Sequence, residues 1–214
     1  GEIISRLGGD VGCSAIRWRG RVECAPGAVK RVTDNDVGGA AREAAEAKKP
    51  LSIGLLGNCT SLLGMLAGLQ RAGDPGSRGR APRTVGLLFL DAHADFNTPE
   101  TTLSGMLGGM PVAVAAGLCL HNLRQTSSLD PPLEPDRILL AGIRDVDTLE
   151  QRLLDEHHVP ALTVDDLRAA SPRLHDRMQQ LSRKADAIYV HIDMDVLDPA
   201  EVPGHHTPAP GGLS

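Results

Sequence analysis

The chain has 214 residues, 41% hydrophobic and 23% charged, with a net charge of −5 and only one Trp, one Tyr and two Phe. That apolar share supports a folded core, and the length suits one globular domain spanning 1–214, or at most two small ones. With so few rings to stack bases and no global basic field to gather phosphates, nucleic acid is excluded as the main partner.

Four cysteines, at 13, 24, 59 and 119, form no CxxC pair and no disulfide framework. They read as reduced thiols in a cytoplasmic protein. No apolar run reaches the length of about 18 residues that a membrane span needs, so no membrane partner is expected. The start, Gly1-Glu2-Ile3, has no signal-peptide pattern and no methionine, marking a processed end or a cut within a longer chain.

In chain order, the Ala/Glu/Lys-rich stretch 39–49 predicts a helix. The run 51–56 is short and continuously apolar, as strands covered on both faces are in parallel sheets. Thr60 is placed to cap a helix over 61–72. The Gly/Pro/Arg-rich stretch 73–82 predicts a surface loop, as does 126–135 with its three prolines. The runs Val85–Leu90, 138–143 and Ala187–Ile192 read as further buried strands, and 149–157 and Pro172–Lys184 as helices. Strands alternating with helices indicate an α/β domain.

Four apolar runs end in polar clusters: Gly57-Asn58-Cys59-Thr60, Asp91-Ala92-His93-Ala94-Asp95, Arg144-Asp145-Val146-Asp147 and Asp193-Met194-Asp195. Ligands of open parallel sheets bind outside the carboxyl ends of the strands, so the four clusters are expected to converge. Asp91, His93 and Asp95 are spaced two apart and leave the strand end on one side. His191, Asp193 and Asp195 repeat the spacing, with Asp198 three further on.

Carboxylates gathered at buried strand ends repel unless a cation of charge two or more compensates them. Capping of turns by the aspartates explains one cluster but not two. An EF-hand loop is rejected, because Phe96 and Thr102 stand where it needs Gly and Glu. Mixed imidazole and carboxylate donors suit Mn, Fe, Co or Zn better than Ca or Mg. With Asp91 and Asp193 each able to bridge, a dinuclear centre follows. The glycines of 54–64 lack the Gly-Lys-Ser/Thr of a P-loop, and no G-x-S-x-G elbow occurs. His121, His157, His158 and His175 have no partner at ligand spacing and read as surface residues.

DAHAD at 91–95 continuing FNTPETTLSG to 105, then HIDMDVLDP at 191–199 with PGHHTPAPGG at 203–212, resembles the arginase–agmatinase (ureohydrolase) superfamily. IRDVDTLE at 143–150 and, more loosely, GNCTS at 57–61 extend the match. The resemblance implies a three-layer α/β/α fold with a mostly parallel sheet, shortened at both ends. It implies two Mn²⁺ ions per subunit, held by Cys59, Asp91, His93, Asp95, Asp193 and Asp195, with His93, Asp95 and Asp195 as catalytic residues. A metal-bridging hydroxide attacks a guanidinium carbon and urea is released. Asn97, Thr102 and Ser104 match positions that hold a substrate α-carboxylate, and Asp147 and Glu150 match those near its amino group. The implied partner is a small guanidino amino acid, and the implied assembly a homo-oligomer, trimer or hexamer.

The motifs depart from the family at two places. Cys59 stands where a GGDHS-type motif has a metal-binding histidine, and the segment around Gly108 lacks the histidine thought to shuttle protons. His205 or His206 is then the available substitute. The family glutamate that grips the guanidinium lies in elements beyond Ser214. Arginine or N-hydroxyarginine hydrolysis is the leading expectation. An agmatinase- or formimidoylglutamase-like hydrolase, or an impaired metal- or arginine-binding subunit, is the alternative.

Overall fold

The computed structural model describes residues 15–17, 38–39, 42, 54–72 and 83–214. The strands are β1 (Ala15–Arg17), β2 (Gly54–Leu56), β3 (Val85–Leu90), β4 (Ile138–Ala141), β5 (Ala161–Leu162) and β6 (Ala187–Ile192). The helices are α1 (Leu62–Arg71), α2 (Pro111–Ala115), α3 (His121–Thr126), α4 (Thr148–Glu156), α5 (Val164–Arg168) and α6 (Pro172–Lys184).

Four strands form one sheet in the order β5-β4-β3-β6, all parallel. β3 is central because it is apolar on both faces. Val85, Leu87 and Phe89 join Leu62, Leu63 and Leu66 of α1 and Val112 and Val114 of α2 in one core layer. Leu88 and Leu90 pack into the other, with Leu139, Ala141, Leu162 and Leu181. Gly86 allows the second layer to close, since a Cβ there would meet Leu181 Cδ1 at 2.8 Å. The expected three-layer α/β/α arrangement is therefore present.

After β3 the chain builds β4 and β5 on one side, then returns through α5 and α6 to lay β6 on the other. That reversal makes a topological switch point beside the carboxyl ends of β3 and β6, where open sheets leave a crevice.

The run 51–56 does not enter this sheet as expected. Its described part, Gly54–Leu56, pairs antiparallel with β1 and is largely exposed. An apolar run identifies a strand but not its neighbour. β6 also departs from the doubly covered pattern: Tyr189 and His191 are buried while Val190 and Ile192 are exposed. Thr60 is not the cap; the Asn58 side chain accepts from the Thr60 N–H at 2.9 Å and starts a 3-10 turn over Cys59–Ser61 ahead of α1.

The helices at α4 and α6 lie where the sequence placed them. Of the expected helix over 39–49 only 39 and 42 are described, both helical, and the loop over 73–82 lies outside the described residues. No helix among the described residues is long and apolar enough to cross a membrane.

Candidate metal centre

The Asp91 and Asp193 clusters leave strand ends at the switch point, and Cys59, after β2 of the other sheet, reaches them. Asp91 follows β3 directly and its N–H donates to Ala141 O of β4. Asp193 follows β6, and its N–H donates to Leu90 O of β3. The sheet register therefore places the two aspartates side by side. Gly142, at φ +87°, ends β4 where a Cβ would meet Val196 Cγ2 at 2.8 Å, so this edge closes tightly beneath them.

Among the described residues, three sets of donors come within 4.8 Å of one another: Cys59, Asp91, His191 and Asp193; Asp91, His93 and Asp195; and Asp193, Asp195 and His205. Asp91, Asp193 and Asp195 each belong to two of them, as shared ligands would. His93 Nδ1 lies 3.0 Å from Asp195 Oδ2 and 3.4 Å from Asp91 Oδ1, while its Nε2 lies 3.7 Å from Asp145. The Ala92 N–H donates to Asp195 Oδ1 at 3.0 Å, and the His93 N–H to Asp91 Oδ1 at 2.7 Å. On the far side the Cys59 thiol donates to Asp193 Oδ2 at 3.0 Å.

The electrostatics follow from this crowding. Burial pushes the Asp91 carboxyl up to about 7, against the pull of its hydrogen bond with His93 and helped by the charge of Asp195. Hydrogen bonds to Asp195 and Asp91 raise His93 to about 10 in spite of burial. Burial would raise Asp195 too, but the bonds from His93 and the Ala92 N–H hold it below the usual carboxylate range. Cys59 is driven upward by burial and by the charge of Asp95. His191, out of solvent, falls to about 4 and stays neutral.

Asp95 is in none of the three sets. It sits at φ +50°, a left-handed conformation that aspartate adopts more readily than most residues, and its Oδ2 is buried with no hydrogen-bond partner. An acceptor stranded beside a thiol and two more carboxylates calls for a cation. Thiol, imidazole and carboxylate together fit divalent transition metals. The residues present therefore fit a metal pair.

The remaining expected residues lie on the loop after β3 and at the start of α4. Asn97 is buried, its carbonyl accepting from the Thr101 hydroxyl at 2.9 Å. Thr102 and Ser104 lie at the rim, their oxygens 3.4 Å apart and accepting from the Gly105 and Met106 N–H groups. Asp147 caps α4. Glu150 is 3% exposed, and its carboxylate accepts from the Phe96 N–H at 2.7 Å and the Asp147 N–H at 3.4 Å. It braces the loop after β3 against the start of α4.

Asp198 does not join the cluster; it accepts from the Ala200 and Gly211 N–H groups and shapes the following turn. His121, His158 and His175 are exposed as expected, whereas His157 packs edge-on to Phe96. His205 does reach the centre, with Nε2 3.3 Å from Asp193 Oδ1, and His206 is exposed.

Arg144 was not singled out by the sequence, yet it organises the edge. Its guanidinium donates to the backbone oxygens of Gly142, Asp195, Leu197 and Ala209, at 3.1, 2.6, 3.2 and 2.7 Å. The signal available for it was its position next to Asp145 at a strand end.

The profile of the Arginase family matches residues 5–214. The chain belongs to the arginase family. It is 30% identical over 167 residues to arginase of Bacillus caldovelox and 34% over 167 residues to arginase of Entamoeba histolytica, alignments covering 77% of this chain and 52% and 53% of those proteins. It therefore spans about half the length of the curated relatives it matches. Among solved structures, arginase of Bacillus subtilis superposes with a TM-score of 0.70 at 29% identity, covering 85% of this chain and 60% of that one. The Entamoeba histolytica arginase in complex with L-ornithine gives 0.65 at 30% identity, covering 85% and 62%. A Bacillus subtilis formimidoylglutamase, at 22% identity and a TM-score of 0.59 over 84% of this chain and 50% of that one, shares the fold.

Proposed function

We propose that this chain is a dinuclear-metal amidinohydrolase domain, spanning 1–214, that cleaves the guanidino group of arginine or N-hydroxyarginine to an amine and, respectively, urea or hydroxyurea. The observation that carries the reading is the convergence of Cys59, Asp91, His93, Asp193 and Asp195 in donor sets that share their carboxylates, with Asp95 stranded beside them. Cys59, Asp91, Asp95 and Asp193 would hold one ion; Asp91, His93, Asp193 and Asp195 would hold the other. When bound, a Mn²⁺ pair supplies Lewis acidity and a nucleophile from water at neutral pH.

The protein's own groups do the rest. Asp195, fixed by the Ala92 N–H, faces the position where an attacked guanidinium carbon becomes tetrahedral. His93 stands between Asp195 and the exposed Asp145, so that one ring nitrogen would serve the ion while Asp145 orients the other. His205, against Asp193, is the imidazole available to protonate the leaving amine, in the role Gly108 cannot fill. Asn97, Thr102 and Ser104 offer donors to an α-carboxylate, and Asp147 faces the ammonium, with Glu150 fixing both loops. The ornithine held by the Entamoeba relative is an α-amino acid of this kind, which favours arginine over agmatine.

Cys59 favours N-hydroxyarginine. A charged thiolate would make water on the metal pair less acidic, which suits a substrate with a more electrophilic carbon than arginine's, as a hydroxyguanidine has. Free Cys59 and Cys119 suit a reducing cytoplasm. Family membership supports a homo-oligomer, trimer or hexamer, measurable by sedimentation.

The test is to load the chain with Mn²⁺, count ions and assay urea from arginine and agmatine, hydroxyurea from N-hydroxyarginine and formamide from formimidoylglutamate. Two ions with turnover of the hydroxylated or plain amino acid is the expected result. Two bound ions without turnover of any of these would end the enzymatic reading.

A further inference from the structure

His191 is a donor that the proposed ligand set leaves out. It stands two residues before Asp193, so strand alternation puts Tyr189, His191 and Asp193 on one face of β6. Tyr189 and His191 are both buried there, His191 at 6% exposure. The imidazole is stacked on Phe89, its register partner on β3, with centroids 4.7 Å apart and planes within 10°. Tyr189 Oη lies 3.3 Å from Nδ1. The ring is thus fixed by stacking on one side and by a hydroxyl at one nitrogen.

A ring nitrogen of His191 comes within 4.8 Å of Cys59 Sγ and of carboxylate oxygens of Asp91 and Asp193. Where Nδ1–H donates to the Tyr189 oxygen, Nε2 keeps its lone pair, as in metal-bound histidines whose second nitrogen is engaged by a neighbouring acceptor. The donors around it would all be anionic once a metal displaces the thiol proton. Neutral imidazole adds coordination without adding charge. The unpartnered, buried Asp95 Oδ2 marks the same region as short of a cation.

We infer that His191 is a ligand to the ion held by Cys59, Asp91 and Asp193. The inference rests on the metal-dependent reading above and goes beyond it. A thiolate and an imidazole on one ion shift this half of the centre from manganese toward zinc or cobalt, whereas the His93 half keeps a harder, oxygen-rich set. The two halves would then prefer different metals.

The experiment uses the full chain, stripped of metal and titrated separately with Co²⁺ and Mn²⁺, as wild type, His191→Gln and His191→Phe. The phenylalanine keeps the stack on Phe89; the glutamine keeps a polar group. Wild type is expected to bind both ions and to show thiolate-to-cobalt absorption. Each variant is expected to retain the apo fold by circular dichroism and to bind Co²⁺ at the thiolate half at least about 100-fold more weakly. Variants that bind Co²⁺ with unchanged affinity and spectrum would overturn the inference.

A second measurement does not depend on the variants folding. In wild-type protein carrying isotope-labelled histidine, the His191 ring, identified by its contacts to Phe89 and Tyr189, should shift on saturation with Zn²⁺. A ring that does not respond overturns the assignment. A wild-type chain that binds no ion removes this inference and the proposed function together; bound ions with an unmoved His191 remove this one alone.

Discussion

The two ends of the carboxylate cluster are built on different principles. At the His93 end, acceptors already have donors: Asp195 takes the Ala92 N–H and the His93 ring, and Asp91 takes the His93 N–H. At the Cys59 end a half-buried thiol leans on Asp193, and Asp95 keeps an oxygen with no partner. The first end is satisfied by the protein's own hydrogen bonds. The second is arranged around acids that a proton neutralises in the metal-free fold and that an ion would neutralise in its place. Metal loading should therefore change the Cys59 end more.

Asp91 belongs to both ends, so removing its charge breaks the comparison outright. Asp91→Asn keeps the shape and is expected to abolish tight binding of both ions. Urea release should fall by roughly 10³-fold or more, on the order of 4 kcal/mol of transition-state stabilisation. Ion counting by equilibrium dialysis alongside the assay checks this. Retention of one tight ion would show that Asp91 does not bridge.

Substitution of Cys59 separates the ends. Cys59→His is expected to raise Mn²⁺ affinity at that site by about 10–100-fold and to leave the other ion unaffected, as read by calorimetric titration. Equal affinity in the variant and the wild type would remove Cys59 from the ligand set. A parallel change at both sites would mean that the ends are not independent.

A third variant tests whether the His93 end is held from outside. Arg144 ties the backbone at Asp195 and Leu197 to that at Ala209, and it is the clasp on the loop carrying Asp195. Arg144→Met leaves several part-buried carbonyls without donors and should lower stability by about 2–4 kcal/mol. Affinity should weaken at the His93 end and less at the Cys59 end. Chemical denaturation and metal titration of the same variant report the two effects, and an unchanged unfolding midpoint would reject the clasp.

Much of this was legible in the sequence for identifiable reasons. Val85–Leu90, Ala187–Ile192 and Pro172–Lys184 are bounded where the sequence places them, because a continuous apolar run and a helix-forming stretch are local signals. The spacing of Asp91, His93 and Asp95 is local as well. What could not be read is pairing and occupancy. β2 looks like any buried strand until β1 takes its edge, and Glu150 looks like a substrate contact until its oxygens are found on two backbone amides. His191 was marked by its spacing to Asp193. Only the packing of Phe89 and Tyr189 around it shows which way its ring is held.

The smallest expected effect concerns pH and compares the metal-free and metal-loaded forms. Asp91 has a folded-state pKa raised from 3.8 to about 7 by burial, so the metal-free fold binds its proton more tightly than the unfolded chain does. Its contribution to stability is present below pH 3.8 and is lost as pH rises through 7. His93, raised from 6.5 to about 10, adds stability that is full below 6.5 and lost as pH rises through 10. Asp195 and His191, both shifted downward, work in the opposite sense. The contribution of Asp195 is lost only as pH falls below the ordinary carboxylate range. That of His191, lowered from 6.5 to about 4 by burial, is full above 6.5 and offsets part of the loss at Asp91 and His93. The stripped protein should therefore melt at a lower temperature at about pH 8 than at about pH 5. Metal reverses the sign, because ions displace the same protons and bind more tightly as pH rises. Thermal unfolding of both forms across this range checks the crossing. A metal-free protein that grows more stable toward pH 8 would show that the carboxylates are already compensated, and would erase the contrast between the two ends.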